Sequence, residues 1–255
     1  MDYSKALGVD IGASGMKGAV VDIKSGELMT ERVRMDTPQP STPEAIAGIF
    51  RTFARMHNWQ GVIGCGFPAI IKKGVARSAA NIHDRWLGVS VEDIFSKASG
   101  CPVYVLNDAD AAGIAEMQFG LGKGKDGVVL LITIGSGLGS ALFIDGRLVP
   151  NTEFGHLYLN GQVAEHYASN QTRKDLNLSW EEWGGRFNEY LRHIERIFSP
   201  DHIILGGGVS TRFEEYSDFL DVKTPVSPAL LHNNAGAVGA AYYACEIEMK
   251  RSGNK

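Results

Sequence analysis

Cysteine is scarce in this 255-residue chain. Cys65, Cys101 and Cys245 form an odd, scattered set. That excludes a disulfide framework, and no two are spaced as metal ligands. Each reads as a small buried apolar residue. Long apolar runs are absent too: none reaches the ~18 residues that a membrane span needs. Met1–Lys5 carry no basic segment ahead of an apolar one, so no secretory signal is expected, and a reducing cytoplasm is the expected location. Net positive charge is also lacking. At −4 the chain gives no reason to expect nucleic acid as a partner, and an anionic ligand would need cations gathered locally.

Glycine, in contrast, is abundant at 31 residues. It concentrates where backbone turns sharply or approaches a ligand. Ala6–Ile11 and Met16–Ile23 read as two strands around a Gly/Ser turn, and Glu27–Met35 as a third strand. Thr42-Pro43-Glu44 opens a helix to about His57. Gly61–Phe67 and Ile70–Ala76 are the next strands. Ser90 starts a helix that Gly100-Cys101-Pro102 stops. Pro102–Leu106 is a strand leading into Asn107-Asp108, and a helix over about Ala109–Phe119 follows. Val128–Ile134 and Leu138–Ile144 form a second hairpin, and Asp145-Gly146 a tight turn. Ser179-Trp180-Glu181-Glu182 is a capping box for a helix to about Phe198. His202–Leu205 runs as a strand into Gly206-Gly207-Gly208, and Asn234 to about Met249 is a terminal helix. Both halves therefore open on strand, Gly-rich turn and strand. This weak repeat predicts an α/β protein of two similar lobes with a cleft between them.

Several segments carry chemistry. In Asp10-Ile11-Gly12-Ala13-Ser14-Gly15-Met16-Lys17, the glycines suit an anion nest, with Ser14 donating a hydroxyl and Lys17 a positive charge. Asp10 offers a carboxylate for Mg²⁺, directly or through water. The same residues also suit a hairpin turn that merely needs glycine. Thr133-Ile134-Gly135-Ser136-Gly137-Leu138-Gly139 is neither a Walker A loop nor a dinucleotide fingerprint. Two such turns together suit a phosphate chain. Asp108 lies at a strand end with a helix behind it, where ligands collect and an ionised general base is favoured. It also reads as a plain N-cap. Glu153 and His156, with Glu165, suit gripping vicinal hydroxyls of a sugar, whereas a zinc site at His156 and Glu165 lacks a third ligand. His57, His83, His166, His193, His202 and His232 belong to no constellation.

These motifs resemble the ROK family of sugar kinases, and within it the bacterial polyphosphate glucokinases, over nearly the whole length. The carriers are Leu7–Gly18, Ala79-Ala80-Asn81 with Trp86, Val105–Gly113, Ile132–Phe143, Glu153-Phe154-Gly155-His156 and Leu205–Ser210. The resemblance implies a two-lobed, actin-like (ribonuclease-H-like) fold with a central cleft. The expected lobes are 1–108 and 109–235, with a terminal helix at about 236–250 packing back on the first. Asp108 matches the catalytic base. Asn81, Asn107, Glu153, His156 and Glu165 match sugar-contacting positions. Gly12, Ser14, Gly15, Lys17, Thr133, Gly135, Ser136 and Gly137 match phosphate loops, and Gly206, Gly207 and Gly208 the loop beside a nucleoside in ATP-using relatives. Many members carry a Cys-rich zinc motif where this chain has Leu157–Ala164, so no zinc is expected. Asn170–Trp183 also resembles the polyphosphate enzymes. The implied reaction is 6-phosphorylation of glucose, with mannose as second acceptor, from polyphosphate or ATP with Mg²⁺, in a homodimer. The family's repressors add an N-terminal DNA-binding domain, which is not expected here. An ATP-only hexose kinase and a non-catalytic sugar sensor are the rival readings. Lys72, Lys73, Arg77, Arg85, Lys123, Lys125, Arg173 and Lys174 are candidate cations for a polyphosphate track, each also readable as solvated surface charge.

Overall fold

The structure, a computed structural model, describes residues 3–253. Its elements are β1 (Lys5–Ile11), β2 (Gly15–Asp22), β3 (Val33–Asp36), α1 (Pro43–Met56), β4 (Ile63–Phe67), β5 (Ile71–Lys72), β6 (Val75–Ala76), α2 (Val91–Ser99), β7 (Val103–Asn107) and α3 (Asp108–Phe119). There follow β8 (Val128–Ile134), β9 (Leu138–Ile144), β10 (Arg147–Val149), β11 (Tyr158–Leu159), β12 (Gln162–Val163), α4 (Ala164–Ala168), α5 (Asn170–Asp175), α6 (Trp180–Phe198), β13 (His202–Gly206), β14 (Val226–Pro228) and α7 (Ala235–Arg251). The described residues divide into two compact units. One holds those up to Phe119 and those from Asn234 onward; the other is Gly120–Asn233.

The first unit is built on a sheet in the order β3-β2-β1-β4-β7. β1 pairs antiparallel with β2, and β2 with β3, while β1–β4 and β4–β7 are parallel. One face buries Leu7, Val9, Ile63, Cys65 and Val105 beneath Phe50 and Phe53 of α1 and Phe95 of α2. Phe50 and Phe95 stack at 4.2 Å and Phe67 meets Trp86 edge-on at 4.9 Å. Such pairs add about 0.5–1.5 kcal/mol beyond their area. Thr42 caps α1 by accepting from the Ala45 N–H, Ser90 caps α2 through the Asp93 N–H, and Gly100 ends α2 at φ 74°.

The other face is lined with small residues. A Cβ on Gly64 would lie 1.8 Å from the Ala240 carbonyl oxygen, and one on Gly239 1.7 Å from that of Ala111. β4, α3 and α7 thus meet backbone to backbone. That contact ties α3 to the first unit, so the division falls after Phe119 rather than at the expected 108/109, and the terminal segment joins from Asn234. The third strand also differs from expectation. β3 begins only at Val33, because the Val20 N–H turns to the Thr30 hydroxyl at 3.1 Å and Leu28 keeps a single bridge to Val21. The expected strand Ile70–Ala76 splits into β5 and β6 at Lys73 and Gly74, both with positive φ.

The second unit repeats this plan. Its sheet runs β10-β9-β8-β13-β14, with β8–β9 and β9–β10 antiparallel and β8–β13 and β13–β14 parallel. α6 lays Trp183, Phe187, Tyr190, Leu191 and Ile194 over Leu130, Ile132, Ile134 and Leu205. Their spacing of three and four residues is one helical stripe. The Ser179/Glu182 capping box is complete in both directions, at 3.1 and 2.8 Å. β10 follows the Asp145-Gly146 turn, where both residues have positive φ. Among the described residues no helix is long and apolar enough to cross a membrane.

Candidate functional site

In the first unit the expected residues gather at the carboxyl ends of the parallel strands. Asp10 lies near the end of β1, Gly66 near the end of β4, and Asp108 directly after β7. A Cβ on Gly66 would sit 3.4 Å from the Asp108 Cα and 3.5 Å from Asp10 Oδ1. Glycine at 66 therefore leaves both carboxylates room on the same side of β4. Burial pushes the Cys65 thiol well up, and the charges of Asp10 and Asp108 add to the rise. The helix-capping role goes to Asn107 and not to Asp108. Asn107 Oδ1 accepts from the Ala109 and Asp110 N–H groups at 2.9 and 3.0 Å, and its Nδ2 donates to the Ala69 carbonyl at 3.3 Å. Asp108 Oδ1 accepts from the Ala109 N–H at 2.8 Å. Its partly exposed carboxylate stands in the first turn of α3, where the helix end favours negative charge.

Asp10 is packed against the start of α7, where a Cβ on Gly236 would fall 2.6 Å from its carboxyl carbon. Burial raises its pKa, and Lys17 opposes this with an ammonium 3.6 Å from Oδ2. Lys17 is the β2 partner of Asp10. The turn between them is closed by Gly12 N–H to the Gly15 carbonyl at 3.0 Å, and Thr37 donates its hydroxyl to the Gly12 carbonyl at 2.6 Å. Ser14 is exposed at the tip. Asp10 is a hard oxygen donor at a strand end, of the kind Mg²⁺ uses alongside phosphate and water. The residues present fit that ion.

Asn81 is exposed in the loop after β6. That loop is pinned to the segment before α1: the His83 N–H reaches Ser41 Oγ at 3.2 Å and Trp86 Nε1 the Ser41 carbonyl at 2.9 Å. Two of the candidate track cations have other work. Arg85 holds Glu44 through both guanidinium ends, at 3.0 and 2.6 Å. Arg173 lies 4.0 Å over the Trp180 ring and donates to Asn170 and to the Leu178 carbonyl. Lys72, Lys73, Arg77, Lys123 and Lys174 are exposed, and Lys125 lies close enough to His202 to help lower its pKa.

The second unit assembles a different set around its own hairpin turn. Gly135 N–H closes the turn on the Gly137 carbonyl at 3.0 Å, while Gly135 and Ser136 are exposed and Thr133 lies opposite Gly206 of β13. Gly207 has φ 79°, and a Cβ there would meet the Ile134 carbonyl oxygen at 2.5 Å. Only glycine lets this loop lie on the turn, and Gly208 is exposed beyond it. Gly155 is required for the same reason, since its Cβ would lie 2.1 Å from the Leu138 carbonyl oxygen. This contact presses the Glu153–His156 segment onto the start of β9. Glu165, in the first turn of α4, accepts from the Leu138 N–H at 3.3 Å. α4 is held in turn by Trp183 of α6, whose Nε1 reaches the Ala168 carbonyl at 3.0 Å. His156 stands between the two acids, with Nε2 3.5 Å from Glu165 Oε1 and Nδ1 3.9 Å from Glu153 Oε2. Burial raises the Glu153 pKa; His156 opposes the rise and Glu165 adds to it. Two acids and an imidazole so placed suit several adjacent hydroxyl groups.

The sequence reading missed two supports. Buried Ser140 on β9 donates to the Thr152 carbonyl at 2.8 Å and accepts from the Phe154 N–H at 3.0 Å, so it fixes the backbone on both sides of Glu153. Arg34 on β3 donates to the Ser14 carbonyl at 3.2 Å and pairs with Asp36 at 2.7 Å. The alternation Val33-Arg34-Met35-Asp36, apolar then charged, is the signal that marked Arg34 as facing away from the core.

Comparison with known proteins identifies the family. The sequence profile of the ROK family matches residues 6–175. The polyphosphate glucokinase of Mycobacterium tuberculosis (strain CDC 1551 / Oshkosh) is 41% identical over 92% of this chain and 89% of its own. The crystal structure of an inorganic polyphosphate/ATP-glucomannokinase from Arthrobacter sp. strain KM superposes with a TM-score of 0.92 at 44% identity, covering 97% of this chain and 99% of that one. A ROK family glucokinase from Streptomyces griseus, solved with glucose and AMPPNP, shares the fold at a TM-score of 0.80 and 24% identity, over 95% of this chain and 99% of that one. With more than half its length matched by the family profile and relatives above 40% identity across nine tenths of it, this chain belongs to the ROK family and has the two-lobed, actin-like fold of its sugar kinases.

Proposed function

We propose that this protein phosphorylates glucose at the 6-hydroxyl, with inorganic polyphosphate as donor and ATP as a second one. The observation that carries the reading is the array Asp108, Asp10 and Lys17 at the strand ends of the first unit. It occurs in a chain 41–44% identical to proteins named for polyphosphate and glucose or mannose. Asp108 accepts the proton of the 6-hydroxyl as that oxygen attacks the terminal phosphorus. The bond from that phosphorus to the bridging oxygen breaks, and the shortened polyphosphate leaves with the electron pair. Lys17 and the Gly12–Gly15 turn hold the donor, and the Gly135–Gly137 turn and the Gly206–Gly208 loop of the second unit serve the same end. Glu153, His156 and Glu165 bind the sugar hydroxyls, and Asn81 and Asn107 contribute further contacts. Mg²⁺, when bound at Asp10, supplies charge neutralisation on the phosphate oxygens. Mannose differs from glucose at one hydroxyl and is the second acceptor.

The test is a product assay with glucose and each donor in parallel. Glucose 6-phosphate from long-chain polyphosphate, at a kcat/KM no lower than with ATP, is the expected result. Product from ATP alone would overturn the donor assignment. No product from either donor, with glucose still bound, would leave a sugar sensor.

A further inference from the structure

We propose that Arg34 is a donor-binding residue, which grips the phosphates of the polyphosphate chain lying beyond the one transferred. The inference rests on the donor reading above and extends it to a residue outside both glycine turns. Two registers place it. Asp10 of β1 is paired with Lys17 of β2, and Lys17 with Arg34 of β3. Directly opposed residues of antiparallel strands share a face, so Asp10, Lys17 and Arg34 form one row across three adjacent strands. Asp108 stands at the far side of the same sheet, after β7. Across the sheet the order is therefore general base, metal-type carboxylate, ammonium and guanidinium. Adjacent strands are about 4.8 Å apart; the step from β7 to β1 crosses β4 and so two spacings, and each later step moves one strand further from the reacting end. A polymer carrying a charge on every phosphate has groups to offer at each step.

The guanidinium is also built into the turn. A Cβ on Gly15 would lie 2.9 Å from both Nε and one terminal nitrogen of Arg34, so glycine at 15 is what admits the planar group to this place. Nη2 donates to the Ser14 carbonyl at 3.2 Å and Nη1 to Asp36 Oδ1 at 2.7 Å. These two contacts fix the plane of the fork against the turn. The side chain remains about half exposed, at 52%, and Asp36 is 84% exposed. A carboxylate so solvated contributes little to an ion pair and is readily shared with a more highly charged phosphate. Arginine presents five donors in a fork that matches phosphate oxygens. Two of the five are accounted for by Asp36 and Ser14. Beside it, Arg32 donates to Asn234 at 3.0 Å and lies within electrostatic reach of Asp10, so positive charge is gathered on this face of a chain whose net charge is −4.

The experiment compares the wild type with Arg34→Gln and Arg34→Lys, using long-chain polyphosphate, tripolyphosphate and ATP at saturating glucose. For Arg34→Gln, kcat/KM with long-chain polyphosphate is expected to fall roughly tenfold more than with ATP, through KM, and the log–log salt dependence to become shallower by about 0.7. Arg34→Lys, which keeps the charge but not the fork, should fall between. Equal losses for all three donors, or a long-chain KM within twofold of wild type, would overturn the inference while leaving the donor assignment intact. A wild type inert with polyphosphate but active with ATP would instead overturn the donor assignment, and the inference with it. Should Arg34→Gln not fold, Asp36→Asn decides: removing the competing carboxylate should lower the long-chain KM, and an unchanged or higher KM would sink the idea.

Discussion

The two units share one strand order and one pattern of strand directions, yet their opening hairpin turns are surrounded by different chemistry. Around the β1–β2 turn stand two cations, Lys17 and Arg34, each beside an acid, Asp10 and Asp36, with β3 pairing directly alongside the turn at Gly15–Gly18. Around the β8–β9 turn stand Glu153, His156 and Glu165. The cause is topological. β10 pairs with Leu142–Ile144, at the end of β9 away from the turn, so the flank that β3 fills in the first unit is open in the second. The Thr152–His156 segment takes that flank, tied down by Ser140 and Gly155. A duplicated plan thus differs in what lies beside the turn rather than in the turn itself, which both units offer to phosphate under the proposed function. Cations there suit a phosphate donor, and acids with an imidazole suit a sugar.

The largest expected effect separates chemistry from recognition. Asp108→Asn keeps the size and a hydrogen bond but cannot take the proton, a role worth ~10²–10⁴-fold. kcat should fall by that factor while glucose affinity, read by isothermal titration, stays within roughly tenfold. Loss of glucose binding with little change in kcat would break the division, because it would make Asp108 a recognition residue, the role proposed for Glu153, His156 and Glu165.

A smaller effect sharpens the comparison at three glycines. An alanine at Gly155 or Gly207 would meet a backbone carbonyl oxygen at 2.1 or 2.5 Å, which cannot step aside. Each substitution should cost on the order of 2–4 kcal/mol in denaturant unfolding, and Gly155→Ala should also raise the glucose KM by displacing Glu153 and His156. An alanine at Gly15 meets the far end of a flexible side chain at 2.9 Å. Its stability cost should be under about 1 kcal/mol, and its kinetic effect should appear in the polyphosphate KM. Equal destabilisation at all three positions would show that Arg34 is a rigid part of the fold.

Much of this plan was legible in the sequence, for identifiable reasons. Thr42-Pro43-Glu44, Ser90 with Gly100, and the Ser179/Glu182 box are local signals, and each sets its helix end within a residue or two. The echo of two Gly-rich hairpins reported a duplicated sheet because the turn and its flanking strands are contiguous in sequence. What escaped depends on contacts between distant segments. In sequence Asp108 reads as the N-cap, whereas Asn107 caps α3, its amide oriented by the distant Ala69 carbonyl. The short α4 and α5 carry too few residues for a periodic signal, and α4 is held by Trp183 from α6. Arg85 and Arg173 looked available as track cations because Glu44 lies 41 positions from Arg85 and Trp180 meets Arg173 only through the fold. Arg34 was hidden inside a strand drawn too long, whose first half leaves the ladder when Thr30 captures the Val20 N–H.

The smallest expected effect tests the two acids that burial perturbs, one in each unit. The pKa values of Asp10 and Glu153 are both raised by burial. Lys17 opposes the rise at the first; His156 opposes it at the second, and Glu165 reinforces it there. A carboxyl raised by folding is easier to bury protonated. Its ionisation therefore weakens the folded state as pH climbs from the ordinary Glu value, about 4.3, through the raised one, and that loss persists at neutral pH. Glu153→Gln removes the charge, so its melting temperature should exceed that of the wild type at neutral pH, with the difference fading as pH drops below the ordinary value. Activity should move the other way. A carboxylate accepts hydrogen bonds from sugar hydroxyls better than its protonated form, so the wild-type glucose KM should rise as pH falls through the raised pKa. The variant should show a higher KM at neutral pH that stays flat over the same range. Asp10→Asn should leave the glucose KM profile of the wild type in place and alter the donor KM instead. A wild-type glucose KM indifferent to pH would show that the charge on Glu153 is not what holds the sugar, and the proposed contrast between cations beside the first turn and sugar-binding groups beside the second would then rest on Glu165 and His156 alone.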